Sequence, residues 1–221
     1  MHQTIGITGG IATGKSVVCD YLACAFDIPI LDADKIVHHL MNHEPSIRDE
    51  IRHSFGHAVF RSDGRIDRNA LGQMVFRDET ARKRLEQIIH PHVIQKTRYL
   101  VRRYHQAGAP LVVVTAPLMI EAGTHRFYSI LVVTTCSVEH QLERLIQNRG
   151  LKPEEAHARI NAQFPSSVKI RYADVIINTD GTLEETLWQV VALMKKLSPG
   201  HPGIAEAPRN FKPVLLKYHH P

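Results

Sequence analysis

The sequence predicts an α/β protein in three layers, built on a parallel five-stranded sheet, and three observations carry that prediction. Five apolar, strand-sized runs recur along the chain, helical stretches separate them, and the composition of 43% hydrophobic and 22% charged residues is that of a chain with a real core. A length of 221 residues admits one large domain or a core with an insert, and excludes two full domains.

The five runs are Thr4–Thr8, Pro29–Leu31, Leu111–Ala116, Ile130–Thr135 and Val175–Ile177. Between the second and the third lie about eighty residues with helical patterning and no strand signal. The helical stretches there are Ala33–Asn42, Ser46–Phe55, Asp67–Phe76, Glu79–Ile89 and Pro91–Ala107. A loop of that length without structure does not suit a compact domain, so residues 35–107 read as a helical insert. Pro91 reads as a first-turn proline that starts a helix, and Gly108-Ala109-Pro110 stops it. Gln141–Arg149, Gly150 and Pro153–Gln163 read as helix, break and helix. In the last helix, Leu183–Leu197, the stripe Leu183, Leu187, Val190, Val191 and Met194 has the spacing of a core face. From Ser198 onward come five of the twelve prolines, which points to an extended tail over 198–221.

Several classes are excluded at this level. No run of 18 apolar residues occurs, and the first residues are not a cationic stretch followed by an apolar one, so the expectation is a soluble, cytoplasmic protein without a membrane partner. Cys19, Cys24 and Cys136 contain no Cys-x-x-Cys pair, which suits reduced thiols. The net charge is +5, and the residues after Ser198 contribute +2 of it; without clustered Lys/Arg in the core, a small anionic substrate is expected and a nucleic acid is not. Fifteen histidines include His39 and His43 at i, i+4, but there is no His-Glu-x-x-His and no cysteine nearby, so no zinc site is expected.

The strongest signal is Gly9-Gly10-Ile11-Ala12-Thr13-Gly14-Lys15-Ser16, a match to G-x-x-x-x-G-K-[ST] placed after a strand-like run and before a helical stretch. Glycines let successive N–H groups turn toward phosphate oxygens, and the following helix adds its positive dipole end. Lys15 is the expected bridge of the β- and γ-phosphates, and the Ser16 hydroxyl the expected Mg²⁺ ligand. Gly10, Ile11, Ala12, Thr13, Gly14, Lys15, Ser16 and Val17 are therefore the expected ATP-binding residues. No Asn-Lys-x-Asp tetrapeptide follows, which argues against a guanine-nucleotide switch.

Asp32-Ala33-Asp34 follows the second run, at the strand end where open parallel sheets place their ligands. In phosphoryl transfer to an alcohol a carboxylate accepts the hydroxyl proton. Two carboxylates here can divide the work between the metal or its waters and the acceptor. Asp32 also suits the N-cap of the helix that follows.

With both motifs in place, the sequence resembles the dephospho-coenzyme A kinase family of P-loop kinases, from Thr4 to about Leu197. The ordered set is Gly6–Ser16, Asp32–Asp34, Phe55-Gly56, Gly64-Arg65-Ile66-Asp67-Arg68 with Leu71, Val75-Phe76, and Ile89-His90-Pro91. It continues through Pro117-Leu118 with Glu121, Gln141 with Arg144 and Arg149, Arg159-Ile160 with Gln163, and Ala173-Asp174 with Asn178. The resemblance implies transfer of the ATP γ-phosphate to the ribose 3′-hydroxyl of dephospho-coenzyme A. It implies Asp34 as general base with Asp32 assisting near the metal, an insert whose Arg68, His90 and Pro91 hold the acceptor, and a mobile lid. On that reading residues 1–34, 108–148 and 166–197 form the nucleotide core and 149–165 the lid. Arg144 and Arg149 are the favoured arginines to clamp the transferring phosphoryl group. Ala12-Thr13 and Val17 depart from the residues usual in this family's loop, with a methyl at Ala12 where backbone freedom is usual. Two alternatives stay open: a P-loop kinase for another small metabolite, a nucleoside or a sugar acid, and a nucleotide-dependent binding module.

Overall fold

In the computed structural model, which describes residues 2–204, all five apolar runs are strands. In chain order the elements are β1 (Gln3–Gly9), α1 (Lys15–Phe26), β2 (Ile30–Asp32), α2 (Ala33–His43), α3 (Pro45–Phe55), α4 (Arg68–Arg77) and α5 (Glu79–Gln106). There follow β3 (Leu111–Thr115), β4 (Ile130–Thr135), α6 (Val138–Arg149), α7 (Pro153–Asn161), α8 (Ser166–Lys169), β5 (Val175–Asn178) and α9 (Leu183–Leu197). The sheet order is β2-β3-β1-β4-β5, with β1 in the centre. β1 runs parallel to β3, Ile5 beside Val113, and to β4, Gly9 beside Thr134. β4 runs parallel to β5, Thr135 beside Asn178. The chain leaves β1 toward one edge and returns through β3 to the other side of β1, so the order reverses at the central strand, the place where such sheets bind their ligands.

Central parallel strands are buried on both faces and need apolar side chains on both. On one face Ile5, Ile7 and Val132 pack with Val18 and Leu22 of α1 and with Leu187, Val190, Val191 and Met194 of α9. On the other face Leu131 and Val133 pack with Met119 and Ile120. Gly6 lies on that second face, where a Cβ would stand 2.8 Å from Met119 Sδ and 2.7 Å from the Tyr128 ring. The same burial pushes the Tyr128 hydroxyl up to about 12. A capping box starts α9, with Thr182 Oγ1 accepting the Glu185 amide and Glu185 Oε2 accepting the Thr182 amide. After α9, residues 198–204 turn back, with Ile204 packed on the core and the His201 ring edge-on to Phe26. The rest of the expected tail, 205–221, lies outside the described residues.

The chain divides into two compact units: residues up to Leu31 with those from Tyr104 onward, and Asp32–Arg103. The second is helical apart from a bridge between Phe60 and Ile66, and Ile36, Leu40, Ile47, Ile51, Val59, Leu71, Ile88 and Ile89 are buried in it. Asp67 caps α4 by accepting the amides of Asn69 and Ala70. Pro91 does not start a helix as expected: α5 is one helix of 28 residues with Pro91 inside it. An interior proline removes one helical hydrogen bond and costs about 3 kcal/mol. Burial of Ala81, Ile88, Ile89 and Thr97 along the same helix offsets that cost, so packing rather than local propensity decides the continuity.

A groove of about 500 Å³ lined by Phe26, Pro29, Tyr104, Leu111, Met194 and His201 opens beside the residues that lead into β2 and β3. It lies at the opposite end of the strands from the loop that follows Gly9.

The approach at Gly6 yields a test. Gly6→Ala overpacks the sheet against Met119 and Tyr128 and is expected to cost about 1–3 kcal/mol, lowering the thermal midpoint by about 2–4 °C per kcal/mol. Melting followed by circular dichroism checks this, and an unchanged midpoint would show that these neighbours yield freely.

Candidate active site

The loop between β1 and α1 is built from positions that only particular residues can occupy. A Cβ on Gly9 would collide with the hydroxyl and carbonyl oxygens of Thr134, so the strand can end there only in glycine. Gly14, the N-cap of α1, has φ +80°, and Ala12 has φ +60°, a left-handed conformation that its methyl group disfavours. Thr13 is wholly buried, and its Oγ1 donates to the Gly10 carbonyl at 2.8 Å and lies 2.8 Å from Thr134 Oγ1. Lys15 Nζ donates to the carbonyls of Gly9 at 2.8 Å and Gly10 at 3.0 Å. Ser16 stands exposed in the first turn of α1, while Val17 packs its side chain on the core. The first turn of any helix carries amides without intrahelical partners, and here they follow a loop that carries a lysine.

Residues far along the chain hold the crest of this loop. Gln163 Oε1 accepts the Ile11 amide at 2.8 Å, and Gln141 Nε2 donates to the Ile11 carbonyl at 2.6 Å. Arg144 Nη1 donates to the Ala12 carbonyl at 3.1 Å and to Thr179 Oγ1 at 2.9 Å, and its Nη2 to the Thr179 carbonyl at 2.5 Å. Thr179 Oγ1 in turn donates to the Thr13 carbonyl at 3.2 Å. The arginine expected to clamp a phosphoryl group thus rests on the loop backbone. Arg149 sits five residues later at the exposed end of α6, about 140° around the helix at 3.6 residues per turn, so the two arginines do not share a face.

The turn after β5 fastens α6. Asp180 Oδ1 accepts the Ser137 amide at 2.7 Å and lies 2.8 Å from His140 Nδ1. The Ser137 amide foremost, against a partial desolvation and with help from His140, holds the Asp180 carboxyl below the usual carboxylate range.

The carboxylates after β2 belong to the second unit. Asp32 caps α2, its Oδ1 accepting the amides of Asp34 at 2.9 Å and Lys35 at 3.2 Å. Asp34 is exposed in the first turn of that helix. One turn on, on the same face, His38 Nε2 lies 2.7 Å from Arg68 Nη2. Arginine can only donate, so His38 accepts through Nε2 and is neutral in this pair. Burial first, and then the Arg68 charge, lower the His38 pKa against the opposing pull of Asp34 and Asp32. His90 and Pro91 lie in the middle of α5, His90 half-buried and Pro91 exposed. Sequence reasoning did not single out His38 as a site residue, although its i, i+4 spacing from Asp34 was a readable signal.

Among the described residues no three His, Cys, Asp or Glu side chains gather into a metal site, although the His39 and His43 rings lie 4.7 Å apart. Ser16, exposed in the first turn of α1, offers a hydroxyl oxygen of the kind Mg²⁺ takes beside phosphate oxygens and water.

The family profile of dephospho-CoA kinase matches residues 3–185. Among curated relatives, a dephospho-CoA kinase of Symbiobacterium thermophilum is 42% identical over 201 residues, covering 91% of this chain and 84% of its own. One of Geobacillus kaustophilus is 37% identical over 196 residues, covering 89% and 97%. Among solved structures, a Thermus thermophilus protein superposes with a TM-score of 0.76 at 32% identity, over 90% of this chain and 100% of its own. Dephospho-CoA kinase from Campylobacter jejuni superposes with a TM-score of 0.67 at 26% identity, over 90% and 99%. A match over most of the chain in sequence and in fold, on the strand–loop–helix cradle described above, has one meaning: the chain belongs to the dephospho-CoA kinase family.

Proposed function

We propose that the protein transfers the γ-phosphate of ATP to the ribose 3′-hydroxyl of dephospho-CoA, giving CoA and ADP, the last step of CoA biosynthesis. The observation that carries this reading is the Gly9–Ser16 cradle in a chain of this family. The amides where the loop meets α1 and those of the first turn of α1 bind the phosphates, and Lys15 turns from the Gly9 and Gly10 carbonyls to the β- and γ-phosphates. Ser16 would hold Mg²⁺, with Asp32 assisting near it, and the ion would supply neutralisation of the charge on the phosphate oxygens. The acceptor 3′-oxygen forms a bond to the γ-phosphorus as the bond to the bridging oxygen of ADP breaks. Its proton passes to the Asp34 carboxylate, which the capped turn at Asp32 places at the start of α2. Arg68, held on His38, and the His90-Pro91 stretch bind the acceptor. Arg144 organises the loop, and Arg149 with the 149–165 lid closes over the phosphates about the lid's far end, which Gln163 and Phe164 fasten to the loop and to Glu121. The reaction belongs in the cytoplasm, where Cys19, Cys24 and Cys136 stay reduced; no helix among the described residues is long and apolar enough to cross a membrane.

The acceptor is tested by ADP release from ATP and Mg²⁺ with dephospho-CoA, beside adenosine, AMP and gluconate. Turnover confined to dephospho-CoA is expected, and turnover only with another acceptor would transfer the reading to a different small-metabolite kinase.

Asp34→Asn is expected to lower kcat by about 10²–10⁴, the usual worth of a general base, with ATP affinity near wild type, whereas Lys15→Ala weakens both. Steady-state rates with nucleotide titration separate the two, and an unchanged kcat in Asp34→Asn would remove the base from Asp34.

The Arg68–His38 contact sets a pH dependence. The neutral ring is the form that accepts the Arg68 proton, and its pKa is lowered below 6.5. The contact is therefore intact above that pH and is lost as pH falls through the lowered value. KM for dephospho-CoA is expected to rise on that acid limb, and in His38→Asn the limb should flatten. A limb of the same shape in the variant would assign it to another group.

A further inference from the structure

Lys169 is a wholly buried charged residue to which the chemistry above gives no purpose. Its side chain is wholly buried, and its Nζ donates at 2.7 Å both to the Pro117 carbonyl and to Glu121 Oε1. The same Glu121 oxygen accepts the Phe164 amide at 3.0 Å, and the Glu121 carboxylate is only 18% exposed. Its second oxygen, Oε2, is buried with no hydrogen-bond partner among the described residues. A buried ion pair of this kind is weak support for stability, because apolar residues of similar volume commonly serve as well. What apolar residues lack is direction, and the directions here form a circuit.

Thr8, wholly buried in β1 next to Gly9, donates through Oγ1 to the Pro117 carbonyl at 3.2 Å. From Pro117 the route passes through Lys169 and Glu121 to the Phe164 amide. Phe164 is the neighbour of Gln163, whose Oε1 accepts the Ile11 amide. The route therefore leaves β1 just before the phosphate loop and returns at the crest of that loop. Gln141 holds the carbonyl of the same Ile11 residue, so both polar groups of its backbone are gripped by amide side chains, one of them set by the buried pair.

We propose that Gln163 is a positioning residue for the phosphate loop, and that the buried Lys169–Glu121 pair holds it in place. The inference rests on the reading that this loop binds ATP. Gln163 fixes the crest at which Ala12 adopts its left-handed conformation, so its loss leaves the crest free to relax away from the shape that fits a triphosphate.

The test is calorimetric binding of ATP and steady-state kinetics on the whole chain. In Gln163→Ala, ATP affinity is expected to fall about three- to tenfold, the worth of one hydrogen bond. KM for dephospho-CoA should stay unchanged, and the half-exposed position should keep the melting temperature within about 2 °C of wild type. The double variant E121L/K169M removes both charges with their volume kept. It is expected to stay folded and to lose ATP affinity to the same extent, and adding Gln163→Ala to it should bring no further loss. A purely structural role would lower the melting temperature and leave ATP affinity of the folded protein intact. Wild-type affinity in Gln163→Ala overturns the proposal, as does wild-type affinity in a folded E121L/K169M. If the double variant does not fold, Gln163→Ala decides alone. A wild-type protein that binds no ATP would instead overturn the reading of the loop itself, and this inference with it.

Discussion

A loop that binds phosphate through its amides must turn its carbonyls the other way, and carbonyls turned into a protein need donors. Each carbonyl from Gly9 to Gly14 has one. Lys15 serves Gly9 and Gly10, and Thr13 Oγ1 also serves Gly10. Gln141 serves Ile11, Arg144 serves Ala12, and Thr179 serves Thr13. The Val18 amide takes the Gly14 carbonyl as α1 begins. This inward satisfaction fixes the shape of the loop, and the rest of the nucleotide-binding unit is arranged to deliver those donors.

The delivery explains details that look incidental element by element. Gln141 and Arg144 are three residues apart, so they project from one face of α6, with buried Leu145 beside them anchoring the helix. Ser137 caps that helix, and Asp180 holds the Ser137 amide, which ties the start of α6 to the turn after β5. Thr179 in the same turn reaches the loop, and Arg144 closes the triangle by bonding to both. Gln141 and Thr179 are buried and Arg144, Ser137 and Asp180 half-buried, and each is bonded to another member or to the loop, which is the condition under which a polar network rigidifies a site rather than weakening it.

In the second unit the constraint is local. Asp32 caps α2, and the capped turn puts Asp34 in its first turn with His38 one turn further on. Arg68, the first residue of α4, stands on His38 because Asp67 caps that helix. Caps thus orient Asp34, His38 and Arg68 together. α5 shows the opposite balance, since its apolar contacts carry the helix through Pro91 against the preference of that residue.

Most of what is local was legible in the sequence. The five strands matched their apolar runs to within two residues at either end, and α9 began at Leu183 and ended at Leu197 as its stripe predicts. The phosphate loop was legible because its residue types and spacing are set by backbone geometry within eight residues. The cap at Asp32 followed from the same short-range rules. The partners of the loop were not legible, because Gln141, Arg144, Gln163 and Thr179 lie more than a hundred residues away from the atoms they hold. Periodicity reports which face of an element is apolar and is silent on which polar side chain crosses to which carbonyl. Sequence alone therefore determined that this chain makes a phosphate-binding turn between a strand and a helix. The tertiary structure decided that Arg144 belongs to the loop's carbonyls and that Lys169 is buried on Glu121, because only the packing of distant elements brings those charges to their partners.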